Sequence, residues 1–333
     1  MERGPDGGLQ PSPGNLKRHM DQLVEFDQGF NPDYPEILIH EFEHLIDSAN
    51  ATPSDWRTIA EDIRDNYNEY DGFVVVHGTD TLAYTASALS FLLEFQKKPV
   101  VLTGSQIPIG FPRSDAPGNL CASILVASTE PKVHQVVVCF GSRILRGNRS
   151  TKVSSSAFDA FDSPMVDRIG EVGTEVTVDP RARIGRGMGA HSDRVFRVRE
   201  QQIVPRIAIL RLFPGISADV IDTLTTGDIH GLVLEAYGAG TAPDQNADLM
   251  AALGRAIRAG VCVVAVTQPL HGRANLSTYS ASNALRENGV VSGRDMTTEA
   301  AVAKLHYLLG LGWAQDRVLD YFGKSLRGEI TKA

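Results

Sequence analysis

The stretch Asp71–Leu120, DGFVVVHGTDTLAYTASALSFLLEFQKKPVVLTGSQIPIGFPRSDAPGNL, decides the fold. Phe73–Val76 is a short unbroken apolar run, the pattern of a strand buried on both faces. His77-Gly78-Thr79-Asp80-Thr81 then turns the chain, and Leu82–Phe95 is predicted to be a helix carrying Leu82, Leu89, Leu92 and Leu93, closed by Lys97-Lys98-Pro99. Val100–Leu102 forms a second apolar run, followed by the polar turn Thr103-Gly104-Ser105-Gln106. Strand, helix, strand with a hydroxyl-rich turn at each carboxyl end predicts a parallel sheet. Ligands bind at those ends of such sheets, so the two turns should meet in space.

The first turn carries the sharper chemistry. Thr79 supplies a hydroxyl, and Asp80 can hold that hydroxyl or a substrate ammonium. Both residue types are also common helix N-caps, and from these two residues alone capping is the simpler reading.

The words HGTDTLAYTASALSF, LTGSQIP, RSD, RGNRSTK and DMTTEAAVAKLHYLL occur in that order. Together they resemble the asparaginase/glutaminase family, with the nearest resemblance to the cytosolic, type I bacterial L-asparaginases, over almost the whole chain. The resemblance implies a catalytic set of Thr79, Asp80 and Lys152. It places Asp47 and Ser48 against the substrate α-carboxylate, next to Gly78, and the Ser105 carbonyl against the substrate amide. Lys152 is chosen from a basic loop, Arg146–Lys152, because RGNRSTK resembles the motif that ends in the family's catalytic lysine. A lysine beside a Thr–Asp pair can polarise the hydroxyl and stabilise the carboxylate. Without a ligand Ser48 also reads as an ordinary turn serine, and Arg113 as a surface residue.

The family's other diagnostic turn, TGGTIG, whose first Thr is the covalent nucleophile, has no counterpart in this sequence. The chain is therefore expected to open about one strand late, through a start placed downstream of the true one or as a shortened homologue. The intact remaining motifs favour the first. The chain of 333 residues is then expected to release little or no ammonia from asparagine, and an upstream-extended version to be active. Residues 1–14 read as a mobile lid, with Leu9 where the family often has a catalytic Tyr.

The predicted fold class is α/β with two domains. A larger N-terminal domain (1–190) holds a mainly parallel sheet flanked by helices, 191–203 is a linker, and 204–333 is a smaller parallel α/β domain. Arg181–Gly189 is Gly/Arg-rich but neither follows a buried strand nor opens a helix, so it reads as a connector. In the second domain Thr241 stands in a Tyr237–Thr241 turn resembling one that closes a neighbouring subunit's site. Pro269 stands where type I members can carry a Cys of an allosteric asparagine site.

A formal net charge of −8 offers no long-range attraction to nucleic acid or to an anionic membrane, and no window holds eighteen consecutive apolar residues. Three sparse cysteines, Cys121, Cys139 and Cys262, in apolar surroundings point to buried, reduced thiols and a cytoplasmic protein. His40-Glu41-Phe42-Glu43-His44 fits H-E-x-x-H, but only a helix brings both imidazoles to one metal ion. The alternation after Ile39 predicts a strand, which would separate the two histidines by about 13 Å.

These readings lead to hydrolysis of L-asparagine to L-aspartate and ammonia, with no metal or organic cofactor required, by a homodimer or homotetramer. Two other readings stay open: the amidase subunit of a tRNA-dependent amidotransferase, and a catalytically dead amino-acid-binding homologue.

Overall fold

Three valine-rich runs, FVVV, VVLT and VVVCF, form the parallel strands on which the first half of the chain is built. The computed structural model describes residues 2–3, 7–23, 26, 34–130, 132–180, 194–277 and 279–331. They divide into two compact units, the first ending at Val198 and the second beginning at Arg199 apart from Pro164–Val166.

The first unit runs β1 (Glu2–Arg3), β2 (Leu9–Gln10), α1 (Asn15–Met20), α2 (Pro53–Asp65), β3 (Phe73–Val76), α3 (Leu82–Leu92), β4 (Leu93–Glu94), β5 (Val100–Thr103), α4 (Ala116–Ser128) and β6 (Val136–Phe140). It continues through β7 (Arg143–Arg146), β8 (Thr151–Lys152), β9 (Phe161–Asp162), β10 (Gly170–Val172), β11 (Val176–Val178) and β12 (Arg197–Val198). One sheet has the order β11-β10-β7-β6-β5-β3. Strands β3, β5 and β6 are parallel, joined by α3 and α4, while β7, β10 and β11 extend the sheet antiparallel. The register sets Val76 beside Thr103, so the two polar turns leave the sheet side by side.

Helix α3 is enclosed on all sides: every residue except Tyr84 is buried. Its small side chains allow this, and Gly147 lies close enough that a Cβ there would meet the Ala86 carbonyl at 3.1 Å. Helix α2 starts as its sequence predicts, with Pro53 at its first turn and the Asp55 carboxylate accepting from the Thr52 N–H at 2.7 Å.

The second unit is β13 (Ile207–Arg211), α5 (Ala218–Thr225), β14 (Gly231–Ala236), α6 (Ala247–Arg258), β15 (Cys262–Thr267), α7 (Ser280–Glu287), β16 (Val291–Ser292), α8 (Thr298–Gly310) and α9 (Gln315–Phe322). Its sheet, β13-β14-β15-β16, is parallel throughout. Helices α5 and α6 close over it through Ile221, Leu249 and Leu253. Among the described residues no helix is long and apolar enough to cross a membrane.

Several local expectations are corrected. Strand β3 is not buried on both faces: it is the sheet's edge strand, and Val76 is 50% exposed. An apolar run reports side-chain character and not the number of neighbours, so it cannot distinguish an edge from a centre. The α3 helix stops at Leu92, because Leu93–Glu94 pairs with Arg197–Val198 and Phe95 takes a φ of +61°. Glu36–Ile46 forms no strand. His40 Nδ1 instead lies 3.0 Å from Asp62 Oδ1 on α2 and His44 is exposed, so neither helix nor strand spacing applies to H-E-x-x-H. Among the described residues no cluster of His, Cys, Asp and Glu is placed to hold a metal ion. Residues 1–14, expected as a mobile lid, contain the short antiparallel pair β1–β2 among those described. The connector Arg181–Gly189 lies outside the described residues.

His306 on α8 is 5% exposed, and its burial pushes its pKa down to about 4. The folded state thus holds it neutral, while the unfolded chain takes up a proton below about pH 6.5. Stability from this group is complete above that pH and is lost as pH falls towards 4. The urea-unfolding free energy of the wild type should drop by about 2 to 3 kcal/mol more than that of His306→Gln between pH 7.5 and 4.5. Equal losses in both proteins would refute the assignment.

Candidate active site

The polar turns after β3 and β5 touch. His77 N–H donates to the Thr103 carbonyl at 2.8 Å, and a Cβ on Gly104 would lie 2.2 Å from the His77 carbonyl oxygen. Only glycine permits that approach. Thr79 and Asp80 project from the first turn. Neither caps α3, whose N-cap is Thr81. Lys152 Nζ donates to Thr79 Oγ1 at 2.8 Å and to Asp80 Oδ1 at 2.7 Å, bringing together groups 73 and 72 residues apart. The capping reading therefore gives way to a Thr–Asp–Lys cluster. The Asp80 side chain is 65% exposed and that of Lys152 is 22% exposed. An ion pair this open to water contributes little to stability, so structural demand alone does not account for the convergence.

Ser48 lies against the same turn. It is buried, at 5% exposure, and heads the 3-10 turn Ser48–Asn50. Thr81 Oγ1 donates to the Ser48 carbonyl at 2.7 Å, and a Cβ on Gly78 would fall 2.3 Å from Ser48 Oγ. Asp47 is the N-cap of that turn, its carboxylate accepting from Ala49 N–H at 3.2 Å. Ser105 is half-buried and follows Gly104 directly. The seven predicted site residues stand on four segments: Asp47 and Ser48 on one, Gly78, Thr79 and Asp80 on the next, Ser105 on the turn after β5, and Lys152 on β8.

Three contributors carried no assigned role in the sequence. The His77 ring lies between the Gly78 carbonyl (Nδ1, 2.7 Å) and Thr85 Oγ1 (Nε2, 3.0 Å). A carbonyl only accepts, so Nδ1 bears the proton and Thr85 donates to Nε2. Burial pushes the imidazole below its ordinary pKa range, against the Gly78 hydrogen bond and the Asp55 charge, so it is neutral near pH 7. Asp115 accepts from the Gln106 and Ile107 N–H groups at 3.0 and 2.9 Å. Asn119 donates to the Gly104 carbonyl at 2.9 Å and to Asp115 at 3.0 Å, and accepts from Gly141 N–H at 2.9 Å. The sequence signals for this pair were the place of Asp115 in the RSD word and the i, i+4 spacing of the two at the start of a helix.

Residues 8–183 match the family model described as Asparaginase, N-terminal, and residues 206–322 match Glutaminase/Asparaginase C-terminal domain. L-asparaginase 1 of Escherichia coli (strain K12) is 41% identical over 332 residues, covering 99% of this chain and 94% of that protein. The 60 kDa lysophospholipase of Mus musculus is 40% identical over 292 residues, 87% of this chain and 50% of its own length. The crystal structure of L-asparaginase I from Vibrio cholerae superposes with a TM-score of 0.86 at 40% identity, covering 97% of this chain and 94% of that one. A two-domain α/β protein with hydroxyl, carboxylate and amine gathered at strand ends is the class that these features define. The chain belongs to the asparaginase/glutaminase family.

Replacing Gly78 tests the packing of the first turn on Ser48. In Gly78→Ala the new Cβ must displace Ser48 or the turn, at a cost of roughly 1–3 kcal/mol. A urea midpoint unchanged from wild type would show that the two segments are less closely packed than the structure places them.

Proposed function

We propose that the chain is an amidohydrolase that converts L-asparagine and water to L-aspartate and ammonia. The observation that carries this reading is the pair of hydrogen bonds from Lys152 Nζ to Thr79 Oγ1 and Asp80 Oδ1, made at the carboxyl end of a parallel strand and beside Ser48. Amide cleavage needs a nucleophile, a route for protons and donors for the developing oxyanion. The resemblance assigns the first attack to a Thr of a TGGT-type turn, a sequence absent from residues 1–333. That attack releases ammonia and leaves an acyl ester. Thr79 Oγ1, accepting from Lys152, retains a lone pair that orients the water whose oxygen then attacks the ester carbon. Aspartate leaves and the Thr hydroxyl is restored. Asp80 fixes Lys152 on its other side and presents a carboxylate to the substrate ammonium. Ser48 receives the α-carboxylate through its hydroxyl and backbone N–H, with Asp47 beside it at the head of the same turn. The chemistry calls on no metal or organic cofactor.

Cytoplasmic location is proposed from the free thiols Cys121, Cys139 and Cys262. Cys139 and Cys262 are buried, and burial pushes both thiols up to about 12, out of reactive range. A homodimer or homotetramer is proposed from the resemblance of the Tyr237–Thr241 turn. Light scattering should give two or four times 36.0 kDa, and a monomer would refute it.

Two readouts test the function together: ammonia release, and the rise in melting temperature on adding L-asparagine or L-aspartate, which requires binding without turnover. Both are measured on the chain, on a version extended by a TGGTIG-bearing strand taken from an L-asparaginase relative, and on Ser48→Ala and Asp80→Ala. A shift of several degrees that both variants lose, with ammonia released by the extended version, supports the proposal. A shift without ammonia in either version favours the amino-acid-binding homologue. Ammonia release only in the presence of a glutamyl-tRNA favours the amidotransferase subunit. No shift with either amino acid overturns the assignment.

A further inference from the structure

Lys152 reaches the first turn from a strand of only two residues. Strand β8 pairs with β9 through Thr151–Asp162 and Lys152–Phe161, and Val153 N–H continues the ladder to the Ala160 carbonyl at 2.8 Å. Beyond it lies the loop Ser154–Ala157, which Ser154 Oγ braces by accepting from the Ser156 and Ala157 N–H groups at 3.2 and 2.9 Å. Ala160 and Phe161 bury the β9 side of this hairpin, but Val153 and Phe158, which flank the loop, are 40% and 41% exposed, so apolar burial does little to hold the loop itself. A lysine side chain with four rotatable bonds on so short a strand needs a firm base if its amine is to meet two acceptors at once.

Gln106 supplies that base. Its Nε2 donates to the Ser154 carbonyl at 3.3 Å and to the Ala157 carbonyl at 3.0 Å. Two carbonyls face the amide, so its nitrogen end must point towards them and both N–H bonds are used. The other end of Gln106 is equally constrained. Its own N–H is held by the Asp115 carboxylate, Asp115 is held by Asn119, and Asn119 grips Gly104, which presses against His77. An unbroken set of contacts therefore runs from the turn bearing Thr79 and Asp80, through the turn bearing Ser105, to the loop that supports Lys152.

We infer that Gln106 is a positioning residue: by clamping the Ser154–Ala157 loop to the Ser105 turn it sets the place of the Lys152 amine on Thr79 and Asp80. The inference rests on the functional reading above for its catalytic consequence, but its structural content does not depend on that reading. A displacement of about 1 Å at an acting group is enough to slow a reaction markedly, so a residue outside the chemistry can govern its rate.

The test reads the lysine directly. Native protein is treated briefly with an amine-acylating succinimidyl ester, and the labelling rate of each lysine is followed by peptide mass spectrometry. Wild type, Gln106→Ala, Gln106→Glu and Asp80→Asn are compared. In Asp80→Asn, Lys152 loses the charge of its partner and should label several-fold faster, which calibrates the probe. In both Gln106 variants Lys152 should also label at least about three-fold faster, with Lys98 and Lys132 unchanged. Lys152 labelling at the wild-type rate in the Gln106 variants overturns the inference. So does a common rise at Lys98, Lys132 and Lys152, which would mark Gln106 as generally structural. Where asparagine hydrolysis is measurable, Gln106→Ala should lower kcat about ten-fold or more with KM little changed. Failure of the functional reading would appear separately, as the absence of any melting shift with asparagine or aspartate in the unsubstituted protein, and would leave the labelling result intact.

Discussion

The close approach of two turns is the constraint on which the first unit's site depends. Parallel pairing of β3 with β5 sets the turns side by side, and Gly104 lets the second press on the His77 carbonyl. Any side chain at that position would separate them. Because they touch, the Thr79-Asp80 pair, the Ser105 turn and the Ser48 segment occupy one small region. The ammonium of Lys152 then closes it.

This region is organised by polar contacts laid on an apolar support. The Val-rich strands and the enclosed α3 helix fix the backbone from which the turns emerge, while Asn119, Asp115 and His77 decide the shape of the turns. Asn119 is 4% exposed and uses its carbonyl and both amide hydrogens. A buried amide so fully satisfied makes the local geometry unique, because any alternative turn would leave at least one of those groups unpaired. By contrast the Asp80–Lys152 pair faces solvent and gains little stability. The Asn119 amide, which fixes the local geometry, is thus buried from water, whereas the Asp80–Lys152 pair is not.

Much of the strand–helix order is legible in the sequence. The expected parallel α/β character of 204–333 is met by β13, β14 and β15, whose apolar, largely β-branched runs between turn residues favour strands. The readings that failed depended on neighbours. The segment after Ile39 has the alternation of a strand, but a strand exists only where another chain segment supplies its hydrogen bonds, and among the described residues none does. Phe73–Val76 was recognisable as a strand but not as an edge. Phe95 ended its helix early because pairing of Leu93–Glu94 with residues more than a hundred positions away outweighed local helix propensity.

By itself the sequence determined the parallel α/β character, the two hydroxyl-rich turns and, through its ordered motifs, the family. Those properties follow from local apolar patterning and from residue identities that persist in any conformation. Only the tertiary structure decided that Thr79 and Asp80 face Lys152 rather than cap α3, that His40 meets Asp62 rather than a metal-binding His44, and that Gln106 bridges to the Lys152 loop. Each of these is a choice of partner across tens of residues. It is made when burial of the core fixes which backbone segments lie within hydrogen-bond reach.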